Sequence, residues 1–151
     1  MHSVVVVALS LPLKIGLYNK ENRLVKSYEL NEHTSESLPR FFSSLLDEFE
    51  VSRLIYAKGP GSFMAIKVSY LFLKTLSIVK GIELLATDAF YFNNNTPIKA
   101  VGKLFFVKMA DKIETQVFEE VPNSRFELPQ ELILEDFSDD SLPYYGIAAV
   151  S

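Results

Sequence analysis

Hydrophobic and polar positions along the chain alternate between short strand-like runs and two longer stretches with helical period. "SVVVVALS" at residues 3–10 is an uninterrupted β-branched run, which fits a strand covered on both faces. "LKIGLYN" and, beyond the polar turn "NKEN", "RLVKSYEL" predict two more strands, so the chain opens on an antiparallel meander. The period then changes. In "NEHTSESLPRFFSSLLDEFE", Leu38, Phe41, Phe42, Leu45 and Phe49 share one helical face, with Ser37, Arg40, Ser44 and Asp47 elsewhere. Thr34 or Ser35 is placed to cap this helix, and Glu36 suits its positive end. Pro39 is expected near the first turn, where a missing N–H costs least.

"VSRLIYA" predicts a fourth strand, residues 62–80 a second helix, and "GIELLATDAF" a fifth strand entering a short helical turn. The order β-β-β-α-β-α-β implies an α/β fold. Its mixed five-stranded sheet is parallel where helices intervene, antiparallel in the meander, and flanked by helices on its faces. "NNNTP" at 93–97 marks a linker. Past it, "KLFFVKM" and "KIETQVFEEV" predict two strands joined by "ADK", repeating the opening β-β unit and hinting at duplication. "RFELP" and "ELILEDF" read as short elements and "LPYYGIAAV" as a last strand. The expected organisation is a first lobe over 1–92, the linker, and a shortened second lobe with an acidic segment over 98–151.

The second helix differs from an ordinary surface helix. It follows the turn "KGPGSF", in which Gly59 and Gly61 can take backbone angles closed to other residues and Pro60 fixes the angle between them. Ser62 is placed to cap, leaving free N–H groups that suit an anion, with Lys58 and Lys67 nearby. Lys58, Gly59, Gly61 and Ser62 are therefore candidates for holding a phosphate. Against this, Gly61 is followed by Ser62 and Phe63 where a triphosphate loop needs Lys, and Met64 stands where a dinucleotide turn needs its third glycine. Along the helix, Ala65, Val68, Phe72, Leu76 and Val79 form one line with Ile66, Leu73 and Ser77 beside it, and Ala65, Val68 and Phe72 are expected to face the core. Met64, Leu71, Thr75 and Ile78 form another, with Lys67 and Lys74 flanking Tyr70. Only a strip of two lysines is polar, so the outer side is expected to meet a second protein. Phe42 and Leu46 of the first helix are expected to extend that patch.

Composition narrows the chemistry. Of 151 residues, 48% are hydrophobic and 13% aromatic, which argues for a packed core rather than disorder. Without cysteine there is no disulfide, thiolate metal site or cysteine nucleophile, and a cytoplasmic chain is the simplest reading. "MHSVVVVALSLPL" offers only His2 as an n-region charge and is interrupted by Pro, so it reads as a strand, not a signal peptide. No run of about 18 uncharged apolar residues exists, so no membrane span is expected. The two histidines, His2 and His33, lack any metal-binding spacing, and His33 reads as a polar helix-start residue. The net charge of −4 conceals an asymmetry. Residues 1–110 carry 13 basic against 9 acidic side chains, and residues 111–140 carry 2 against 10. The acidic segment is a solvated surface, meets a basic partner, or folds against the basic lobe. No basic stripe interleaved with aromatics favours nucleic acid.

"AKGPGSFMAIKVSYLFLKTLSIVKGIELLATDAF", together with "EHTSESLP" and "GLYN", resembles the TsaB proteins, also called YeaZ. The likeness covers roughly residues 4–120 and is most specific over 57–90. It implies the actin-like ATPase superfamily fold, two ribonuclease-H-like lobes in sequence, and the inherited label glycoprotease-like or M22. It implies a role in making threonylcarbamoyladenosine on tRNAs that read codons beginning with A. By the same resemblance the chain is not the catalyst. It pairs through the two helices of its first lobe with the catalytic subunit TsaD, and the pair recruits the ATPase TsaE. Contact with tRNA is then made only through the complex, and a homodimer through the same helices is expected when the chain is alone. The sequence departs from the pattern: "VVVVALSLPL" has no carboxylate after the first strand, and "VKMADK" replaces the second lobe's Asp-x-Arg-like stretch. No carboxylate is then ready to hold magnesium against a phosphate, so neither ATP hydrolysis nor any bound cofactor is expected.

Three functions compete: a non-catalytic partner subunit, a small nucleotide-binding protein using the GPGSF turn, and a hydrolase. For the last, Ser62 is the sole nucleophile by position, with no histidine near it in sequence and no G-x-S-x-G elbow.

Overall fold

A computed structural model describes residues 1–122 and 125–146. Strands β1 (His2–Val7), β2 (Leu13–Tyr18) and β3 (Leu24–Leu30) precede helix α1 (Thr34–Glu48). Strand β4 (Val51–Ala57), helix α2 (Phe63–Lys80) and strand β5 (Glu83–Thr87) follow, then a 3-10 turn over Ala89–Phe92. The sheet order is β3-β2-β1-β4-β5, antiparallel across β1–β2 and β2–β3 and parallel across β1–β4 and β4–β5. This is the mixed α/β sheet expected from the element order.

Alternation along β1 explains its unbroken valines. Val4 and Val6 enter one cluster with Leu38, Phe42, Tyr56 and Leu73, while Val5 and Val7 enter a second with Ile55, Phe90 and Phe106. Both faces are dry, so every position is apolar. The faces are covered differently from expectation. Both long helices supply the first cluster. The second, apart from Ile66, is closed by the 3-10 turn, a second sheet and the C-terminal segment.

That second sheet is β6 (Ile98–Val101), β7 (Leu104–Met109) and β8 (Lys112–Val117), all antiparallel. The sequence reading found two of these strands and missed β6, which is four residues long and directly follows the 93–97 turn. Ile98 and Phe106, cross-strand partners, press into the second cluster.

Residues 125–146 form an extended strap. The amide of Leu24 donates to the Gln130 carbonyl at 2.9 Å and that of Leu132 to the Asn22 carbonyl at 2.8 Å. Ala86 and Ser138 exchange two backbone bonds at 2.8 and 2.9 Å. Leu132 and Phe137 are buried beneath it. The end of the acidic segment thus folds onto the first lobe, held chiefly by backbone bonds and apolar side chains rather than charge pairs. Leu142–Gly146 forms no strand, and the remainder of the expected last strand, 147–150, lies outside the described residues.

Candidate interaction face and glycine turn

Helix α2 begins as its sequence requires. The Ser62 hydroxyl accepts from the Ala65 amide at 3.5 Å, and the helix ends at Gly81 in the left-handed region, φ 67°. Its rotation about its axis differs from expectation. The fully buried side chains are Ile66, Ser69 and Leu73, not the line from Ala65 to Val79. Ala65, Val68, Phe72 and Leu76 are half-buried, and Val79 faces solvent. Apolar residues on almost every side leave periodicity unable to choose the inward face. The choice falls on Ser69, a small side chain whose hydroxyl is satisfied by donating to the Ile66 carbonyl at 3.1 Å.

The outward stripe is Met64, Leu71 and Ile78, spaced seven apart and exposed by 61%, 54% and 71%. Lys67 and Lys74 stand exposed beside it. Tyr70 is half-buried, its ring 6.1 Å from that of Tyr56, and Leu46 is half-buried against the first cluster. Phe42 requires a correction. It is 1% exposed and packs on Phe72 at 5.5 Å between rings, so it belongs to the core and not to the outer patch. On α1 the buried apolar side chains, Leu38, Phe42 and Leu45, enter the first cluster with residues of the sheet and of α2. That helix also starts differently. His33 is its N-cap residue, without a side-chain cap, and Pro39 is its sixth residue.

The glycine turn is occupied from within. Gly59 has φ 118°, and a Cβ there would collide with the Tyr144 carbonyl. The Tyr144 amide donates to the Lys58 carbonyl at 2.7 Å, and the Gly59 carbonyl accepts from Ala89 at 2.8 Å. The Lys58 ammonium donates to the Asp140 carbonyl at 3.2 Å, with the Asp140 carboxylate 3.9 Å away. Tyr145 lies on Phe63 with ring centroids 4.4 Å apart. The strap therefore roofs the turn and the first residue of α2, and among the described residues nothing covers the stripe from Met64 to Ile78. Gly61 packs tightly against Leu9, whose carbonyl accepts from the Ser62 amide at 3.0 Å. Ser62 turns the other way, onto a cavity whose wall also carries His33. Sequence distance hid that proximity. No hydrogen bond joins the two among the described residues.

Two buried tyrosines bind the strap to the sheet. Tyr18 donates to the Pro129 carbonyl at 2.6 Å and Tyr56 to the Ser141 carbonyl. Burial raises the pKa of both phenols well above the ordinary tyrosine value. Tyr91, which donates to Asp136 at 3.0 Å, is pushed up to about 12 by burial and by that carboxylate. Among the described residues no group of three or more His, Asp or Glu side chains could hold a metal ion, and no helix is long and apolar enough to cross a membrane.

No family model and no curated protein matches the sequence. Solved structures do. YeaZ from Pseudomonas aeruginosa matches over 82% of this chain with a TM-score of 0.55 and 12% identity. A second structure is described as an uncharacterized protein with similarity to peptidase YEAZ from Pseudomonas aeruginosa. It matches over 98% of this chain with a TM-score of 0.55 and 14% identity. The chain spans 66% and 72% of the lengths of these two proteins. At such identities the likeness is one of architecture: the chain has a YeaZ-like fold.

Proposed function

We propose that this chain is a non-catalytic partner subunit of the tRNA threonylcarbamoyladenosine machinery and docks on a TsaD-like catalytic subunit through the outer face of α2. The single observation behind this reading is the exposed Met64–Leu71–Ile78 stripe on a YeaZ-like fold. Three large apolar side chains in line are costly to leave in water, and such a patch marks a protein contact more often than a bare surface. Lys67 and Lys74 would form the polar, solvent-accessible rim of such a face, and Met64 and Tyr70 are residue types enriched in contact faces. A TsaE-like ATPase would join through the complex, tRNA would be met only through it, and the chain alone would pair with itself by the same face in the cytoplasm.

The nucleotide-binding alternative is weakened by the turn itself, since the strap covers Gly59 and Asp140 engages Lys58. A direct test is co-purification with a TsaD-like subunit from the same cell, comparing the native chain with Leu71→Glu. Leu71 is exposed, so the variant should fold and lose the partner. A folded variant that retains the partner in full contradicts the reading.

A further inference from the structure

The five-stranded sheet has two edge strands, β5 and β3, and the strap engages both. On β5, Ala86 is bonded both ways to Ser138, and at the start of β3 the strap takes Asn22 and Leu24. Residues 26–30 of β3 are left over. They pair one to one with β2 on their inner side, and on the outer side their backbone makes no bond among the described residues. A regular open edge of this kind is a template for another strand. Lys26 does not guard it, since its ammonium is folded over the Tyr28 ring, 5.2 Å from the centroid. Beside this edge runs a groove of about 540 Å³, with Lys26 and Tyr28 on the strand side and Arg40, Phe41, Ser44 and Glu48 on the α1 side. No residue of α2 lines it.

We propose that a second copy of this chain fills the groove, the two β3 edges pairing antiparallel about a two-fold axis at Ser27. Charge self-complementarity selects that occupant. Opposite residues share a face of a sheet, so a two-fold axis normal to it sets positions of like parity against each other. With Ser27 facing itself, Lys26 meets the second copy's Tyr28, and Val25 meets the second copy's Glu29. No like charges stand opposite, and each Lys26 ammonium lies between two phenol rings. The paired edges bring the α1 helices side by side and antiparallel, with Ser44 near the axis and Arg40 toward the second copy's Glu48. Arg40 exchanges partners at little cost. Its pair with Glu32, at 3.1 Å, is 71% and 56% exposed and therefore weak. Two five-stranded sheets become one continuous sheet, and α2 of each copy stays open to a different protein.

The experiment is sedimentation velocity on the full chain carrying Leu71→Glu, which silences any pairing through α2. Dimers should form by about 100 μM, and a monomer up to about 1 mM would overturn the proposal. Arg40→Glu sets acid against acid twice across the axis and should weaken the dimer roughly tenfold. Adding Glu48→Arg to that variant should restore it, because both side chains are exposed and only their signs have been exchanged. A dimer indifferent to Arg40→Glu, or not rescued by the exchange, would contradict the proposal. A second measurement uses the native background. Residues facing each other in an antiparallel ladder lie about 5.5 Å apart or less, within disulfide reach. Ser27→Cys, then the only cysteine, should therefore cross-link two copies on mild oxidation. Thr115→Cys, exposed on the edge strand β8 of the second sheet, should not. Equal cross-linking at the two positions would overturn the assignment. None of these results depends on whether a TsaD-like subunit binds α2.

Discussion

The amide of Tyr144 donates to the carbonyl of Lys58 at 2.7 Å, which lays the C-terminal strap directly on the glycine turn. Two consequences follow from that one contact. The turn that resembles a phosphate cradle is already filled by the chain's own backbone. The outer face of α2, six to twenty residues beyond Lys58, is left uncovered by the described residues, among which the strap meets the helix at the ring of Phe63.

Gly59 should be far less replaceable than Gly81. Both have positive φ, but a Cβ on Gly81 meets nothing within 4 Å, whereas one on Gly59 strikes the Tyr144 carbonyl. Gly81→Ala should cost about 1 kcal/mol of backbone strain and Gly59→Ala about 3 kcal/mol. Thermal melts would read these as losses of about 3 and 10 °C. Equal losses would mean that the strap is not seated on the turn.

Alkaline pH should loosen the fold through its tyrosines. A phenol whose pKa is raised by folding stabilises fully below the unfolded value, about 10, and that contribution is lost as pH rises towards the folded value. Tyr18 and Tyr56 are both raised by burial, so at pH 11 each should subtract about 1.4 kcal/mol. Urea midpoints from pH 8 to 11 would measure the decline. Tyr18→Phe should start less stable, having lost the bond to Pro129, and fall less steeply.

ATP, ADP and AMP at millimolar concentration should produce no heat of binding at the glycine turn. Lys58→Ala should lower stability by less than about 1 kcal/mol, since its ion partner Asp140 is largely exposed. Saturable nucleotide binding that Lys58→Ala abolishes would reinstate the phosphate reading.

Much of this was legible in the sequence, and the exceptions have physical causes. The β1 valines declared a strand dry on both sides, and Ser62 and Gly81 bracketed α2 as capping chemistry dictates. The face that α2 buries was not legible. Where nearly every position is apolar, the inward side is set by which small residue permits close approach, here Ser69. Phe42 misled for a related reason: an aromatic beside Phe41 can belong to either side of a helix, and only its tertiary neighbours, here Phe72 of α2, decide. The strap escaped because its grip lies in backbone amides and in Tyr18 and Tyr56, long-range partners that no local pattern reveals. The cavity at the two helix starts was invisible for the same reason, since Thr34 and Ser62 are brought together only by the crossovers.

The docking face can be tested on the helix itself. The chain has no cysteine, so Thr75→Cys offers a unique attachment point on the exposed side of α2, between Leu71 and Ile78. A nitroxide placed there, and another at Asp139→Cys on the strap, would be followed by electron paramagnetic resonance while a purified TsaD-like subunit is added. The account predicts strong immobilisation of the label at residue 75 and an unchanged spectrum at residue 139. A spectrum at residue 75 that stays mobile while the two proteins co-sediment would contradict it.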